Sequence, residues 1–169
     1  SLPHLVTDFG VTPAAVQQTL SLFVIGFGVA QLISGPLSDR FGRRPVLLGG
    51  FAIYIAASLA CALAPTLNLL VAARFVQAIG CCTAIVVARA LIRDVHTPAA
   101  GAQMIARASS LLSIAPLVGP VLGGYLQVWF GWRAAFVFQT LFCIALGIAA
   151  WRRLDETNRQ PNPAAARLR

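Results

Sequence analysis

The sequence predicts an all-α fold, a polytopic bundle of transmembrane helices, and three observations support this prediction. The 169 residues are 58% hydrophobic and only 11% charged, and a mean hydropathy of +0.78 is too apolar for a water-soluble domain of this length. Several long stretches carry no Asp, Glu, Lys or Arg, and a membrane-spanning helix needs about 20 apolar residues. The basic residues cluster at the ends of these stretches.

Five spans follow from the charge-free stretches and from the turn residues that separate them. Their predicted bounds are about residues 14–34, 45–64, 67–88, 108–128 and 134–151. The three tryptophans fall at predicted span ends, where their amphipathic rings favour the headgroup region. We therefore predict that residues 1–153 form one helical bundle. The polar and proline-containing residues 154–169 are predicted to be a cytoplasmic linker or tail.

The arginines predict the orientation of the bundle in the membrane. They follow the first span, separate the third span from the fourth, and follow the last span: Arg40, Arg43, Arg44, Arg89, Arg93, Arg107, Arg152 and Arg153. By the positive-inside rule these segments are cytoplasmic, so the end at residue 1 is outside and the C-terminal tail is inside. We expect the membrane to be a bacterial inner membrane. A net charge of +8 also suits nucleic acid, but arginines at span ends do not form the contiguous basic surface that phosphates require, so no nucleic-acid partner is expected.

The residue types that most often bind metals or catalyse reactions do not form a recognisable site. All four cysteines lie inside apolar spans without zinc or disulfide spacing, and we predict that they are small packing residues: Cys61, Cys81, Cys82 and Cys143. The histidines His4 and His96 lie in predicted loops. We therefore expect no metal, no cofactor and no enzymatic activity.

The segment of residues 35–44, Gly-Pro-Leu-Ser-Asp-Arg-Phe-Gly-Arg-Arg, is the most specific motif in the chain. We predict that it is the loop that turns the chain between the first two spans. A cytoplasmic position explains its arginines but not its spaced glycines or its aspartate. Gly42 permits a tight turn, and Asp39 can pair with a basic neighbour. We hypothesise that Asp39 pairs with Arg89 or Arg93, because they share a side of the membrane and have opposite charge.

The third span contains a second unusual feature, an arginine within apolar sequence. Arg74 lies about seven residues inside the span, or about 10 Å at the helical rise of 1.5 Å per residue. An ionisable residue at that depth is costly unless it faces protein or water, and it is a functional candidate by default. The alternative is that its long side chain extends outward to the interface.

The fourth span is rich in glycine and proline at a spacing of four residues. Such spacing places small residues on one helix face, where another helix can approach closely, and each proline removes a backbone hydrogen bond and can kink the helix. A purely structural role is the alternative to a functional one. The two adjacent rows are Ala115, Gly119 and Gly123, and Pro116, Pro120 and Gly124.

The loop motif resembles the signature between the second and third helices of the major facilitator superfamily of membrane transporters. The resemblance implies that the five spans are equivalent to helices 2–6 of the N-terminal half, with the first helix missing. It also implies that this loop latches the two halves together on the cytoplasmic side in the outward-facing state. The matching residues are Gly35, Asp39, Arg40, Gly42, Arg43 and Arg44.

Two further motifs resemble those of proton-coupled members of this superfamily. The third span matches the arginine-containing motif of the fourth helix, and this match implies a role in proton coupling for Arg74, Gln77 and Gly80. The fourth span matches the antiporter motif of the fifth helix. The residues of this antiporter motif are Pro116, Gly119, Pro120, Gly123 and Gly124. The motif begins with Ala-Pro, and this form resembles the bicyclomycin and chloramphenicol resistance subfamily.

The resemblance implies secondary transport by alternating access, with protons exchanged for an outward-moving drug or other small amphiphilic compound. The proton gradient is the expected energy source. The expected partners are the small-molecule substrate, protons, the lipid bilayer, the missing first helix and the C-terminal half of the transporter. All five acids lie outside the predicted membrane core, so the proton-binding carboxylate is not identified. An uptake symporter for a sugar or organic acid and a non-transporting membrane scaffold remain as alternatives.

Overall fold

The computed structural model describes residues 10–154, and these residues form six α-helices without a β-strand. Five stretches within them are long and apolar enough to cross a membrane, because two of the helices together form one stretch of 33 residues, Pro98–Phe130. The predicted fold class, an all-α bundle of five spans, is confirmed. The helices are α1 (Pro13–Phe41), α2 (Arg43–Leu63), α3 (Leu67–Val95), α4 (Pro98–Leu112), α5 (Ala115–Phe130) and α6 (Arg133–Arg153). Most of the predicted tail, residues 155–169, lies outside the described residues.

The first helix extends through most of the segment that we expected to be a loop. α1 continues to Phe41, and only Gly42, with φ at +98°, separates it from α2. Pro36 lies inside the helix, and the Ser38 hydroxyl donates to the carbonyl of Gly35 at 2.9 Å. The expectation of a loop over residues 35–44 was therefore wrong, because charged side chains at a membrane surface do not require the helix to end.

The segment predicted as the fourth span, residues 108–128, is part of a longer helical stretch that is broken in the middle. α4 begins at Pro98, and α5 begins at Ala115 after a turn at Ser113 and Ile114. Pro116 has no N–H, so it cannot continue the hydrogen-bond ladder across this turn. The backbone N–H and the hydroxyl of Ser113 both lie 3.1 Å from the Ser109 carbonyl oxygen and donate to it.

The centre of the bundle is α3, which packs along both α1 and α2, while α6 packs mainly against α2. Helices α2 and α3 approach each other closely at Gly80, where an added Cβ atom would lie 2.6 Å from the backbone nitrogen of Tyr54. Almost one turn further along α3, the Ser34 hydroxyl of α1 lies 3.0 Å from that of Thr83. This packing fixes the position of the polar residues that α3 carries.

Helix α5 is the least enclosed element. None of its residues is buried, and it contacts mainly α6 among the described helices. Its apolar side chains, such as Leu117 and Val128, are exposed in this structure. A helix that is apolar all round and unburied needs lipid or further helices around it.

Candidate functional site

The deepest charged residue, Arg74, is directed into the bundle rather than toward the nearer end of its helix. It lies seven residues after Leu67, the first residue of α3, or about 10 Å along the axis at 1.5 Å per residue. Its Nη1 donates to Oε1 of Gln77 at 3.2 Å, and Gln77 lies almost one turn deeper. The guanidinium therefore does not adopt the outward-extended conformation that was the alternative.

Gln77 connects this arginine to two neighbouring helices. Only 1% of Gln77 is exposed, and its Nε2 donates to Oγ of Ser58 at 2.7 Å and to Oε1 of Gln139 at 3.2 Å. Ser58 belongs to α2 and Gln139 to α6. The hydroxyl of Tyr54, also on α2, donates to the same Oε1 at the longer distance of 3.5 Å. The polar network, which we define as Arg74, Gln77, Ser58, Gln139 and Tyr54, thus joins three helices inside an apolar bundle.

Aromatic rings from two other helices lie beside the guanidinium. The Arg74 Cζ atom is 5.5 Å from the ring centroid of Phe23 on α1 and 5.1 Å from that of Phe136 on α6. A cation near the face of an aromatic ring is attracted by the ring quadrupole, by about 0.5 to 2 kcal/mol depending on desolvation. Within residues 10–154, Arg74 forms no ion pair with a carboxylate. The positive charge of Arg74 is therefore stabilised by the amide oxygen of Gln77 and by the two aromatic rings.

Gly80, the third residue of the predicted coupling motif, lies at the contact between α2 and α3. A Cβ atom there would meet backbone atoms on the facing helix, at 2.6 Å from the Tyr54 nitrogen and 2.7 Å from the Gly50 oxygen. Backbone atoms cannot move aside as a side chain can. Gly80 therefore permits the close packing that brings Gln77 within hydrogen-bond distance of Ser58.

The basic end of the bundle, where α1 and α3 end and α2 begins, carries the loop motif. Arg43 joins two carboxylates there, with Nη1 2.5 Å from Oδ1 of Asp39 and Nε 2.9 Å from Oδ2 of Asp94. Its Nη1 also donates to Oγ of Ser38. The Arg43 side chain is only 12% exposed, against 46% for Asp39 and 29% for Asp94. The arginine is thus the enclosed centre of a three-residue ion-pair cluster that ties α1 and α2 to α3.

The basic residues that we expected to pair with Asp39 have other described contacts. The structure describes an ion pair of Asp39 with Arg43, four residues along the chain, whereas Nε of Arg93 donates to the backbone oxygen of Arg89 at 3.4 Å. Arg93 nevertheless lies near Asp39. Both line a cleft of about 260 Å³, together with Gly35 and the other residues of the ion-pair cluster. Arg43 reaches Asp39 because the tight turn at Gly42 places the start of α2 beside the end of α1.

The remaining arginines of the loop motif are not brought into the ion-pair cluster. The Arg40 guanidinium lies 5.1 Å from the ring centroid of Phe41, and Nη2 of Arg44 donates to the backbone oxygen of Trp151 at 2.8 Å. The second contact joins the start of α2 to the end of α6. These contacts place the ends of α1, α2, α3 and α6 at one end of the bundle.

The glycine and proline motif of α5 lies apart from both polar sites. Cβ atoms added at Gly119, Gly123 or Gly124 would meet no heavy atom within 4 Å among the described residues. The motif lines an open cleft of about 340 Å³ between α5 and α6, which also contains Pro120, Gln127, Trp132 and Ala135. Pro116 begins α5 next to the turn. A surface of small residues with open space above it is suited to close approach by another helix.

Sequence reasoning missed four residues of these sites: Tyr54, Ser58, Asp94 and Gln139. Three of them lie inside apolar spans, and a polar side chain within such a span is itself a signal, because it needs a hydrogen-bond partner there. The sequence does not reveal which partner each one has. That choice depends on the relative rotation and depth of α2, α3 and α6.

Comparison with known proteins finds similarity to one family of membrane transporters and to several drug-resistance proteins. The sequence profile of the Major Facilitator Superfamily matches residues 1–169. A chloramphenicol resistance protein of Pseudomonas aeruginosa is 39% identical over 161 residues, and the match covers 95% of this chain and 38% of that protein. Multidrug resistance protein D of Escherichia coli strain K12 is 34% identical, with coverage of 93% and 40%. Multidrug resistance protein MdtL of Shigella flexneri serotype 5b is 33% identical, with coverage of 98% and 42%.

A solved structure, that of the human organic anion transporter MFSD10, has a similar fold. The TM-score is 0.74 at 22% sequence identity, and the match covers 97% of this chain and 39% of that one. At this identity the likeness concerns the fold alone. This chain thus spans about two fifths of the length of the proteins it matches. The resemblance inferred from the sequence motifs is confirmed.

Proposed function

Because the chain belongs to the major facilitator superfamily, we propose that it forms one helix bundle of a transporter that exports drugs or other small amphiphilic compounds in exchange for protons. The observation that carries this proposal is the arginine held inside the apolar bundle, Arg74, with its hydrogen bond to Gln77. The substrate class is supported by relatives that are named for chloramphenicol resistance and multidrug resistance. Alternating access moves one such bundle against another around a central site.

Arg74 can couple proton release to a conformational change. A positive charge favours the ionised form of a nearby carboxylate and opposes its protonation. A carboxylate from another segment of the transporter therefore loses its proton when it approaches Arg74 and regains one when it withdraws. Two aromatic rings and an amide hold the guanidinium without neutralising it. Its charge is thus available to a carboxylate that arrives in one conformation only.

We assign a latch role to the ion-pair cluster of Asp39, Arg43 and Asp94. Both carboxylates are partly exposed, and exposed ion pairs contribute only about 0 to 1 kcal/mol each. Contacts of that strength can form in one conformation and break in another. Gly35, Arg40, Gly42 and Arg44 support the same end of the bundle, and Arg93 lines its cleft.

The basic end is proposed to face the cytoplasm, in a bacterial inner membrane, by the positive-inside rule. A fluorescent-protein fusion after residue 154 tests this orientation, because the fluorophore matures in the cytoplasm and not after export through the secretion machinery. A cysteine at Asn68, an exposed residue at the opposite end, would react with a membrane-impermeant maleimide added outside. Reaction from the inside alone would contradict this orientation.

The glycine and proline face of α5 is proposed to pack against a helix from the rest of the transporter, either the first helix or one from the C-terminal half. The three glycines leave space for a close approach, and no described residue occupies it. A single bundle supplies only one side of the central site around which alternating access takes place. We therefore expect transport to require the full-length parent protein.

The decisive experiment measures drug and proton movement together. Inverted membrane vesicles that contain the full-length parent protein are energised to become acidic inside, and a pH-sensitive dye reports the interior. Adding chloramphenicol should partly dissipate the gradient, since each entering drug molecule exchanges for protons. Vesicles that contain an Arg74→Ala variant should show no dissipation at equal protein level.

The two alternative functions predict other outcomes. An uptake symporter moves substrate in the direction of the protons, so drug accumulation in intact cells would rise with the gradient and fall with an uncoupler. A membrane scaffold would show neither drug nor proton movement with any substrate. Either result would overturn drug efflux as the function.

A further inference from the structure

We propose that Gln139 on α6 is a positioning residue for proton coupling: it fixes the Gln77 amide in the orientation that holds the Arg74 guanidinium. The inference rests on the proposed transport function, and it concerns a residue outside all three sequence motifs. Gln139 is linked to Gln77 by a hydrogen bond of 3.2 Å, although the two residues are 62 positions apart. It acts on the arginine only through this amide.

The orientation of the Gln77 amide follows from the chemistry of its partners. A guanidinium has donors and no acceptor, so Arg74 can bond only to the amide oxygen of Gln77. The amide nitrogen then points away from the arginine, with two N–H groups that need acceptors. Ser58 Oγ at 2.7 Å and Gln139 Oε1 at 3.2 Å are those acceptors. Every polar atom of this buried amide therefore has a partner.

Loss of the Gln139 acceptor would favour rotation of the Gln77 amide. One of its N–H groups would be left without an acceptor in a site where Gln77 is 1% exposed, and an unsatisfied buried donor costs free energy. Rotation of the side chain would recover that bond elsewhere but would withdraw the oxygen from Arg74. Gln139 thus links the position of α6 to the orientation of the arginine on α3.

The Oε1 atom of Gln139, which accepts from Gln77, also accepts from a second residue. The hydroxyl of Tyr54 donates to it at 3.5 Å, a weak contact that approaches from α2. An oxygen that accepts from both Tyr54 and Gln77 must remain an acceptor for the network to persist. A carboxylate at position 139 keeps that property, whereas an aliphatic side chain removes it.

The test compares three variants of the full-length parent protein in the vesicle assay: Gln139→Leu, Gln139→Glu and the control Thr140→Val. Thr140 is the next residue of α6 and is buried, but its hydroxyl donates to the Phe136 carbonyl of its own helix. Gln139→Leu should slow drug-driven proton movement about tenfold, as expected when one buried donor loses its acceptor. Gln139→Glu keeps the acceptor but adds a negative charge near Arg74, so it should retain transport with a shifted pH midpoint. Thr140→Val should match the parent in rate and in midpoint.

The pH profile separates positioning from a purely structural role. Loss of folded protein lowers the rate equally at every pH, whereas a displaced guanidinium changes the pH at which transport is half-maximal. Gln139→Leu should therefore shift this midpoint, and Thr140→Val should leave it in place. If Gln139→Leu does not accumulate in the membrane, Gln139→Met, which is similar in length, replaces it.

A double-variant cycle tests whether Gln139 acts through Gln77. The pair Gln77→Leu and Gln139→Leu should transport no more slowly than Gln77→Leu alone, because the second change removes a contact already lost. Independent, multiplying effects would overturn the proposal, as would a normal rate and pH midpoint in Gln139→Leu. If the parent protein moves no drug, the proposed function fails, and the same cycle is then measured on thermal unfolding. Additive shifts in Tm would overturn the link between the two side chains.

Discussion

Replacing Gly80 with alanine is expected to force α2 and α3 apart and to destabilise the bundle. The added Cβ atom would lie 2.6 Å from the Tyr54 nitrogen and 2.7 Å from the Gly50 oxygen, whereas ordinary contact begins at 3.4 Å. Both atoms belong to the backbone of the facing helix. The two helices must therefore separate by about 0.8 Å, because no side chain can rotate away to make space.

The magnitude follows from two opposing effects. Overpacking costs typically about 1 to 3 kcal/mol, and a contact with rigid backbone belongs at the upper end of that range. Alanine is the better helix former by about 1 kcal/mol, which offsets part of this cost. The net loss is about 2 kcal/mol. For a cooperative unit of the size of this bundle, that loss lowers Tm by roughly 4 to 8 °C.

The assay is thermal unfolding of the full-length parent protein in detergent, followed with a dye that becomes fluorescent on reaction with thiols. Cys61, Cys82 and Cys143 are buried and become reactive as the bundle opens. The matched control is Gly49→Ala on α2, where the added Cβ would meet no heavy atom within 4 Å among the described residues. A Tm for Gly80→Ala equal to or above that of Gly49→Ala would refute the reasoning.

Three further predictions concern the basic end and the buried arginine. Gly42→Ala should cost about 1 to 3 kcal/mol of stability, since φ of +98° with ψ of 155° is a conformation that alanine rarely adopts, whereas Gly35→Ala, inside α1, should not. Asp39→Asn should lower drug efflux severalfold while membrane insertion stays intact, because the partly exposed ion pair with Arg43 is lost. Arg74→Lys keeps the charge but loses the planar donor fork, so it should alter the proton dependence of transport.

Each of these predictions has an outcome that contradicts it. Equal Tm values for the two glycine variants would show that the turn at Gly42 tolerates a side chain. Normal efflux by Asp39→Asn, measured at equal protein level, would remove the latch role of the loop. An unchanged pH profile of Arg74→Lys would mean that charge alone, without the hydrogen bond to Gln77, is sufficient.

Local sequence was enough to locate Arg74, Asp39 and Arg43, but it did not identify Asp94 as a partner of Arg43. Arg74 is conspicuous because an arginine within an apolar span is costly unless protein or water surrounds it. The loop motif was conspicuous for its spaced glycines and its aspartate. The partner of Asp39 was less evident: Arg89 and Arg93 were expected beside it, and the ion pair that the structure describes is with Arg43. Formal charge gives the side of the membrane but not the distance between two side chains.

Two glycines of the predicted motifs, Gly80 and Gly119, differ in their packing although the sequence treats them alike. Gly80 and Gly119 both belong to predicted motifs, yet only Gly80 lies against the backbone of another described helix. Glycines spaced four residues apart show that one helix face is lined by small residues, but they do not show which helix covers that face. For the α5 motif, no described residue lies within 4 Å of a Cβ atom added at its glycines.

By itself, the sequence determined the fold class, the five spans and the family, because hydropathy, charge placement and short motifs are local properties of the chain. Only the tertiary structure decided that α1 continues to Phe41, that Arg43 joins Asp39 to Asp94, and that Gln139 contacts Gln77 from 62 residues away. Such contacts depend on the rotation and depth at which helices pack. Those are set by the whole interface between α2, α3 and α6, and a small shift of any helix would pair each polar group differently.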